Sequence, residues 1–212
     1  MCTHRTVRTI RALTITFAIG LGLSACGSDD GTDTTATQVS TTEHNDADVD
    51  FASDMIQHHA QALSMVDLTI KRDLDPEVQQ LAEDIRAAQG PEVETLSDWL
   101  AEWGEDVPET LRDHVNAGHD NDISGDMEGM EESDSDMPGM MSSDDLQALE
   151  EAPDADFQAM WLDMMIEHHE GAVEMSETEV QDGQYKPAVD LANSIISSQT
   201  EQVGTMQRML DS

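Results

Sequence analysis

Apolar residues recur at helical spacing in four stretches of the chain. In the first, from about Asp46 to Lys71, Phe51, Met55, His58 or His59, Ala62, Val66 and Ile70 fall three or four positions apart and would line one face of a helix. The second opens at Asp75-Pro76, where an aspartate suits the cap and a proline the first helical position, and it carries Val78, Leu81, Ile85, Val93, Leu96 and Leu100. Within it, Pro91 lacks a backbone donor and is expected to kink the helix. A third stretch covers about Asp154 to Val180. A fourth, after Lys186-Pro187, carries Leu191, Ile195, Val203, Met206 and Leu210. Strand-like alternation is missing, so the pattern predicts an all-α fold.

The four stretches are two copies of one unit. A shift of 110 positions pairs Met55 with Met165, His58 with His168, His59 with His169, Ala62 with Ala172 and Met65 with Met175. Without a gap it goes on to pair Leu81 with Leu191, Ile85 with Ile195, Gln89 with Gln199 and Leu100 with Leu210. The repeat is therefore a helical hairpin. One hairpin leaves an apolar stripe on each helix, and packing two together buries them, which predicts an antiparallel four-helix bundle with a pseudo-twofold axis.

On such helices, at about 100° per residue, His58 lies roughly 60° from Met55 and about 20° from Met65, with His59 about 40° from Met55 on the other side. Imidazole and thioether groups thus share one stripe, and His168, His169, Met165 and Met175 repeat the arrangement. Imidazole suits copper, zinc, iron and nickel, whereas thioether selects chiefly Cu(I). The donor set points to copper, with Cu(I) favoured over Cu(II). Each methionine taken singly also reads as core packing, and each histidine as a hydrogen-bonded helix residue. Gln89 and Gln199 are candidates to orient the imidazoles, although a glutamine hydrogen-bonded across the bundle is the preferred reading of each.

Between Gly104 and Pro153 the chain turns Gly-, Asp- and Ser-rich and contains "MEGMEESDSDMPGMM". Core packing does not account for Met127, Met130, Met137, Met140 and Met141 in a polar, Gly/Pro-broken loop. Thioethers need no deprotonation to bind, so this loop is a further candidate Cu(I) site, with His114 and His119 just upstream. An acidic linker that happens to be methionine-rich is the other reading.

The chain opens with arginines, an apolar run from Ala12 to Leu23 and small residues, as an export signal does. "LSAC" at Leu23 to Cys26 resembles a bacterial lipobox, which would make Cys26 the lipidated first residue of the mature protein. Loss of residues 1–25 removes Cys2, so no disulfide is available to the mature chain. Residues 26–45 have the composition of a flexible tether. The formal charge of −37 becomes −40 once Arg5, Arg8 and Arg11 leave with the signal. Such a charge opposes nucleic acid and anionic lipid and draws cations. The expected organisation is signal 1–25, tether 26–45, first hairpin 46–103, acidic Met-rich linker 104–153 and second hairpin 154–212.

At "HHEGAVEM", with "FQAMWLDMM" leading in and "MPGMMS" upstream, the sequence resembles the domain of unknown function 305 family. That resemblance spans roughly Asp48 to Leu210 and implies an exported, ferritin-like helical protein with copper association. It implies His58, His59 and Met65 in the first hairpin and His168, His169 and Met175 in the second as ligands; Met55 and Met165 are weaker candidates from their place on the same stripe. The first hairpin departs from the motif, with Ala60 and Gln61 where the second has Glu170 and Gly171. A weaker or purely structural first site is the expectation from that departure.

Enzyme chemistry finds little support. A di-iron oxidase needs Glu-x-x-His on two helices, but Met55, Ile56, Met165 and Ile166 hold the positions three before the histidines. No HExxH element or nucleophile elbow is present. The expected protein is a lipid-anchored copper buffer, chaperone or resistance protein without turnover. Its expected partners are metal ions and a copper-handling membrane protein. A cell-envelope interaction module with no metal role is the alternative.

Overall fold

A computed structural model describes residues 39–110 and 137–212 of the chain. Five helices and no strand occur among them: α1 (Asp46–Asp67), α2 (Pro76–Trp103), α3 (Ser143–Glu151), α4 (Asp154–Asp182) and α5 (Lys186–Leu210). None is long and apolar enough to cross a membrane. The expected signal, Cys26, most of the expected tether, His114, His119, Met127 and Met130 lie outside the described residues.

The long helices start where the polar pattern places them. Asn45 caps α1 in a reciprocal box with Asp48: the Asp48 amide donates to Asn45 Oδ1 (3.1 Å), and the Asn45 amide to Asp48 Oδ2 (2.7 Å). α1 ends earlier than its periodicity suggests, so Ile70, expected on the apolar stripe, lies beyond the helix and is 58% exposed. Pro76 opens α2 as expected, but Asp75 makes no side-chain cap. Its carboxylate instead accepts from Gln158 Nε2 (2.8 Å) while its amide donates to Gln158 Oε1 (2.9 Å), a clasp between the hairpins. α2 runs through Gly90 and Pro91 as one element.

Two readings of the connecting segments need correction. Ser40 is not free tether: its amide donates to the Gln184 carbonyl and the Ser40 carbonyl accepts from the Lys186 amide, both at 2.6 Å. The acidic linker contains α3, capped by Ser142 and anchored by buried Leu146 and Leu149. A nine-residue helix carrying two core leucines gives too little periodicity to stand out from acidic surroundings.

The four long helices pack antiparallel around two apolar clusters. At one end Met65, Val66, Val78, Leu81 and Ile85 meet Phe157, Trp161, Leu162, Met165 and Met206, with α3 adding Leu146 and Leu149. Trp161, fully buried, donates Nε1 to the Met65 carbonyl (3.0 Å). At the other end Phe51, Met55, Ile56, Leu96 and Leu100 meet Ala172, Ala188, Ala192 and Ile195. Burial of each large apolar side chain contributes about 1.5–3 kcal/mol before conformational entropy is subtracted. The histidine pairs fall between the clusters, since α1 passes from Ile56 to Ala62 and α4 from Met165 to Ala172 across that layer.

Candidate metal centre

His58, His59, His168 and His169 are all at most 1% exposed. α1 and α4 cross so that residues equivalent in the repeat meet: the His58 and His168 rings lie 3.8 Å apart by centroid, tilted by 42°. Four imidazoles therefore occupy one polar layer in the bundle centre. Burial, reinforced by the charge of His59, pulls the His58 ring down to about 3 despite a bond to the Pro138 backbone. Burial likewise holds His168 well below its ordinary range, and His169 at about 4. These three rings are neutral near pH 7, the form that presents a lone pair to a metal.

Hydrogen bonds fix which nitrogen is free. His58 donates Nε2–H to the Pro138 carbonyl (3.1 Å), His59 to Glu92 Oε2 (2.8 Å) and His169 to Gln202 Oε1 (2.8 Å). A neutral ring so bonded keeps its Nδ1 lone pair; the Nδ1 atoms of His58, His59 and His169 are buried without a hydrogen bond, and the Met165 backbone, which favours the charged form of His169, lies outside bonding geometry. His168 has no hydrogen bond at either nitrogen; the nearby His58 backbone favours its charged form slightly but lies outside bonding geometry. Buried polar atoms are nearly always partnered, so four such rings in one layer need a reason. An outer acceptor on one nitrogen and a bare lone pair on the other is how metal-binding histidines are commonly held.

The outer acceptors are not the two candidate glutamines. Gln89 and Gln199 are buried, but the Gln89 amide and the Gln199 carbonyl oxygen have no partner. The orienting groups are Glu92 and Gln202, one turn further along, also equivalent in the repeat and each 33 residues from its histidine. A polar residue at that position in both copies was the available signal.

The Met-rich segment returns to the bundle here. Pro138 to Met141 lies across α1 and α4 as a strap, its Pro138 carbonyl on His58. Gln61 clamps it from α1, donating Nε2 to the Met141 carbonyl (2.9 Å) and accepting the Met141 amide (2.8 Å). Gly171 makes room for it on α4, where a Cβ would collide with the Pro138 carbonyl and stand 2.7 Å from the Gly139 Cα. Gln61 and Gly171 are equivalent positions, so the departure of the first hairpin from the motif serves the strap.

The candidate thioethers divide. Met55, Met65 and Met165 are fully buried and belong to the apolar clusters, whereas Met175 is half-buried against the second cluster. Met141 is packed in the core with Leu146 and Leu149; Met137 and Met140 are half-buried on the strap. Among the described residues, no three His, Cys, Asp or Glu side chains already converge on one point.

A bundle of two repeated helical hairpins with paired, buried histidines where they meet defines the class. The chain belongs to the DUF305 family, a domain of unknown function, which it matches over residues 48–210. Its structure is similar to a DUF305 fragment from Deinococcus radiodurans (26% identity, TM-score 0.62, covering 79% of this chain and 97% of that one). It is also similar to a DUF305 protein from Streptomyces coelicolor (27%, 0.63, 78% and 92%). CopM in its Cu(I)-bound form shares the fold at 22% identity, with a TM-score of 0.59 over 77% of this chain and 95% of that one. No protein of curated function matches the chain.

Proposed function

We propose that this protein is an exported, lipid-anchored copper-binding protein that buffers or hands on copper, or confers resistance to it, without catalytic turnover. One observation carries the reading: four buried imidazoles meet in a single layer with unpartnered nitrogens, three of them oriented by an outer acceptor. His168 has no hydrogen bond opposing rotation of its ring towards an ion shared with His58. Met55 and Met165, one turn before His58 and His168, and Met65 and Met175 supply thioether donors on the same helices. This soft and borderline set favours Cu(I), with Cu(II) also accepted. Support also comes from CopM, which shares the fold and has been solved with Cu(I), Cu(II) and silver. For export the support is the "LSAC" stretch ending at Cys26 and the secreted-protein name borne by the Streptomyces coelicolor relative. Met137 and Met140 on the strap would receive Cu(I) from the loop, and a copper-handling membrane protein would donate or accept it.

Thermal melts test this. Cu(I) or Ag(I) should raise the midpoint of the parent and not of a variant with His168→Ala and His169→Ala, because only binding to the native state stabilises it. If no metal shifts the parent, the histidines are packing residues and the protein is an envelope interaction module.

A further inference from the structure

The two hairpins hold their second histidines by the same geometry but with different charge. His59 Nε2 and His169 Nε2 each donate over 2.8 Å to the side chain that the repeat places opposite, a carboxylate at Glu92 and a neutral amide at Gln202. The Glu92 side chain is 18% exposed and its histidine wholly buried, so solvent screens the contact only in part. An acceptor behind a ligating imidazole makes the ring a stronger donor, and a full negative charge does so more than an amide. Across one ring, the Glu92 carboxylate would stand on the order of 7 Å from an ion on His59 Nδ1, and its attraction doubles from a monovalent to a divalent ion.

We propose that Glu92 is a specificity-determining positioning residue: it biases the His59 side of the layer towards divalent Cu(II), while Gln202 leaves the His169 side to monovalent Cu(I). The proposal rests on the copper reading of the histidines and adds to it an unequal division of labour between two halves that look alike in sequence. It gives the protein one scaffold for both oxidation states of its cargo.

The test exchanges the acceptors. Glu92→Gln rebuilds on α2 the arrangement that α5 already has, keeping the hydrogen bond and removing the charge, so folding is retained. Gln202→Glu does the reverse. Dissociation constants for Cu(II) and Ag(I), measured by chelator competition at one pH, and the Cu(II) electron paramagnetic resonance spectrum are compared across the parent and both variants. Glu92→Gln should weaken Cu(II) binding by about tenfold or more, within the range known for outer-acceptor changes, alter the Cu(II) spectrum, and leave Ag(I) within about threefold. Gln202→Glu should strengthen Cu(II) binding. Equal weakening of both ions, or an unchanged Cu(II) constant and spectrum in Glu92→Gln, overturns the proposal and leaves the copper reading standing. A parent that binds neither ion overturns both.

Discussion

The imidazoles of His58 and His168 lie 3.8 Å apart by centroid, tilted by 42°, and because the two residues are equivalent in the internal repeat, the pseudo-twofold axis of the bundle passes between them. A twofold places equivalent groups in contact only at the axis. A residue there meets its own copy, and histidine is a poor choice for apolar packing but a good one for sharing an ion. The axis lies in the layer where the two apolar clusters meet, so the polarity is confined to the one place where both hairpins contribute equally.

His168→Leu should make the metal-free protein more stable. The ring is fully buried with both nitrogens unpartnered, and an unsatisfied buried polar group costs about 1–3 kcal/mol. Urea unfolding should therefore show a rise of that order, together with loss of the Ag(I)-induced shift. A drop in stability instead would mean that the imidazole has a structural role.

Stability should fall as pH rises through the neutral range because of Glu179. Burial, together with the neighbouring carboxylates of Asp48 and Asp182, pushes its carboxyl up to about 9 from an ordinary 4.5, and neither of its oxygens has a hydrogen-bond partner. Between those values the folded state holds a proton that the unfolded state has released, so the unfolded state binds fewer protons and each step up in pH weakens folding. Glu179→Gln should flatten this slope, and urea midpoints at pH 5 and pH 8 should converge relative to the parent. The histidines act oppositely at lower pH: their depressed values withdraw stability as pH falls below about 6.5.

Two glycine substitutions should have opposite signs. Gly171→Ala forces the strap backbone away from α4 and should destabilise by about 1–3 kcal/mol, as overpacking against main chain does. Gly90→Ala meets nothing within 4 Å inside a helix and should stabilise by about 0.5–1 kcal/mol. Thermal midpoints of the two variants and the parent decide both.

Gln61→Ala should release the strap. It leaves the Met141 amide and carbonyl without their partner in a buried place, a loss of roughly 2–4 kcal/mol from two bonds. Hydrogen exchange at the Met141 amide should speed up well before that of the α1 and α4 cores. Unchanged protection would show that the clamp is dispensable.

The helices and their pairing were legible because both signals repeat: apolar spacing of three and four, and a gapless shift that aligns two hairpins. The strap was not, because its bonds join residues 80 positions apart and use backbone atoms that no side-chain pattern announces. For the same reason Gln61 read as decay of a motif. Glu92 and Gln202 were visible as a polar pair in the repeat but differed in type, which hid their common task. The Asp48 and Glu179 contact had no signal at all, as the repeat sets Gln158 and Thr69 at the corresponding positions.

One strap crossing a twofold scaffold makes the halves non-interchangeable. A chain assembled from two second hairpins would offer glycine on both sides, with space for the strap and nothing to grip it. Two first hairpins would offer glutamine on both sides, two grips and no space. The repeated frame therefore carries a single strap, and that strap requires one half to supply the grip and the other the space.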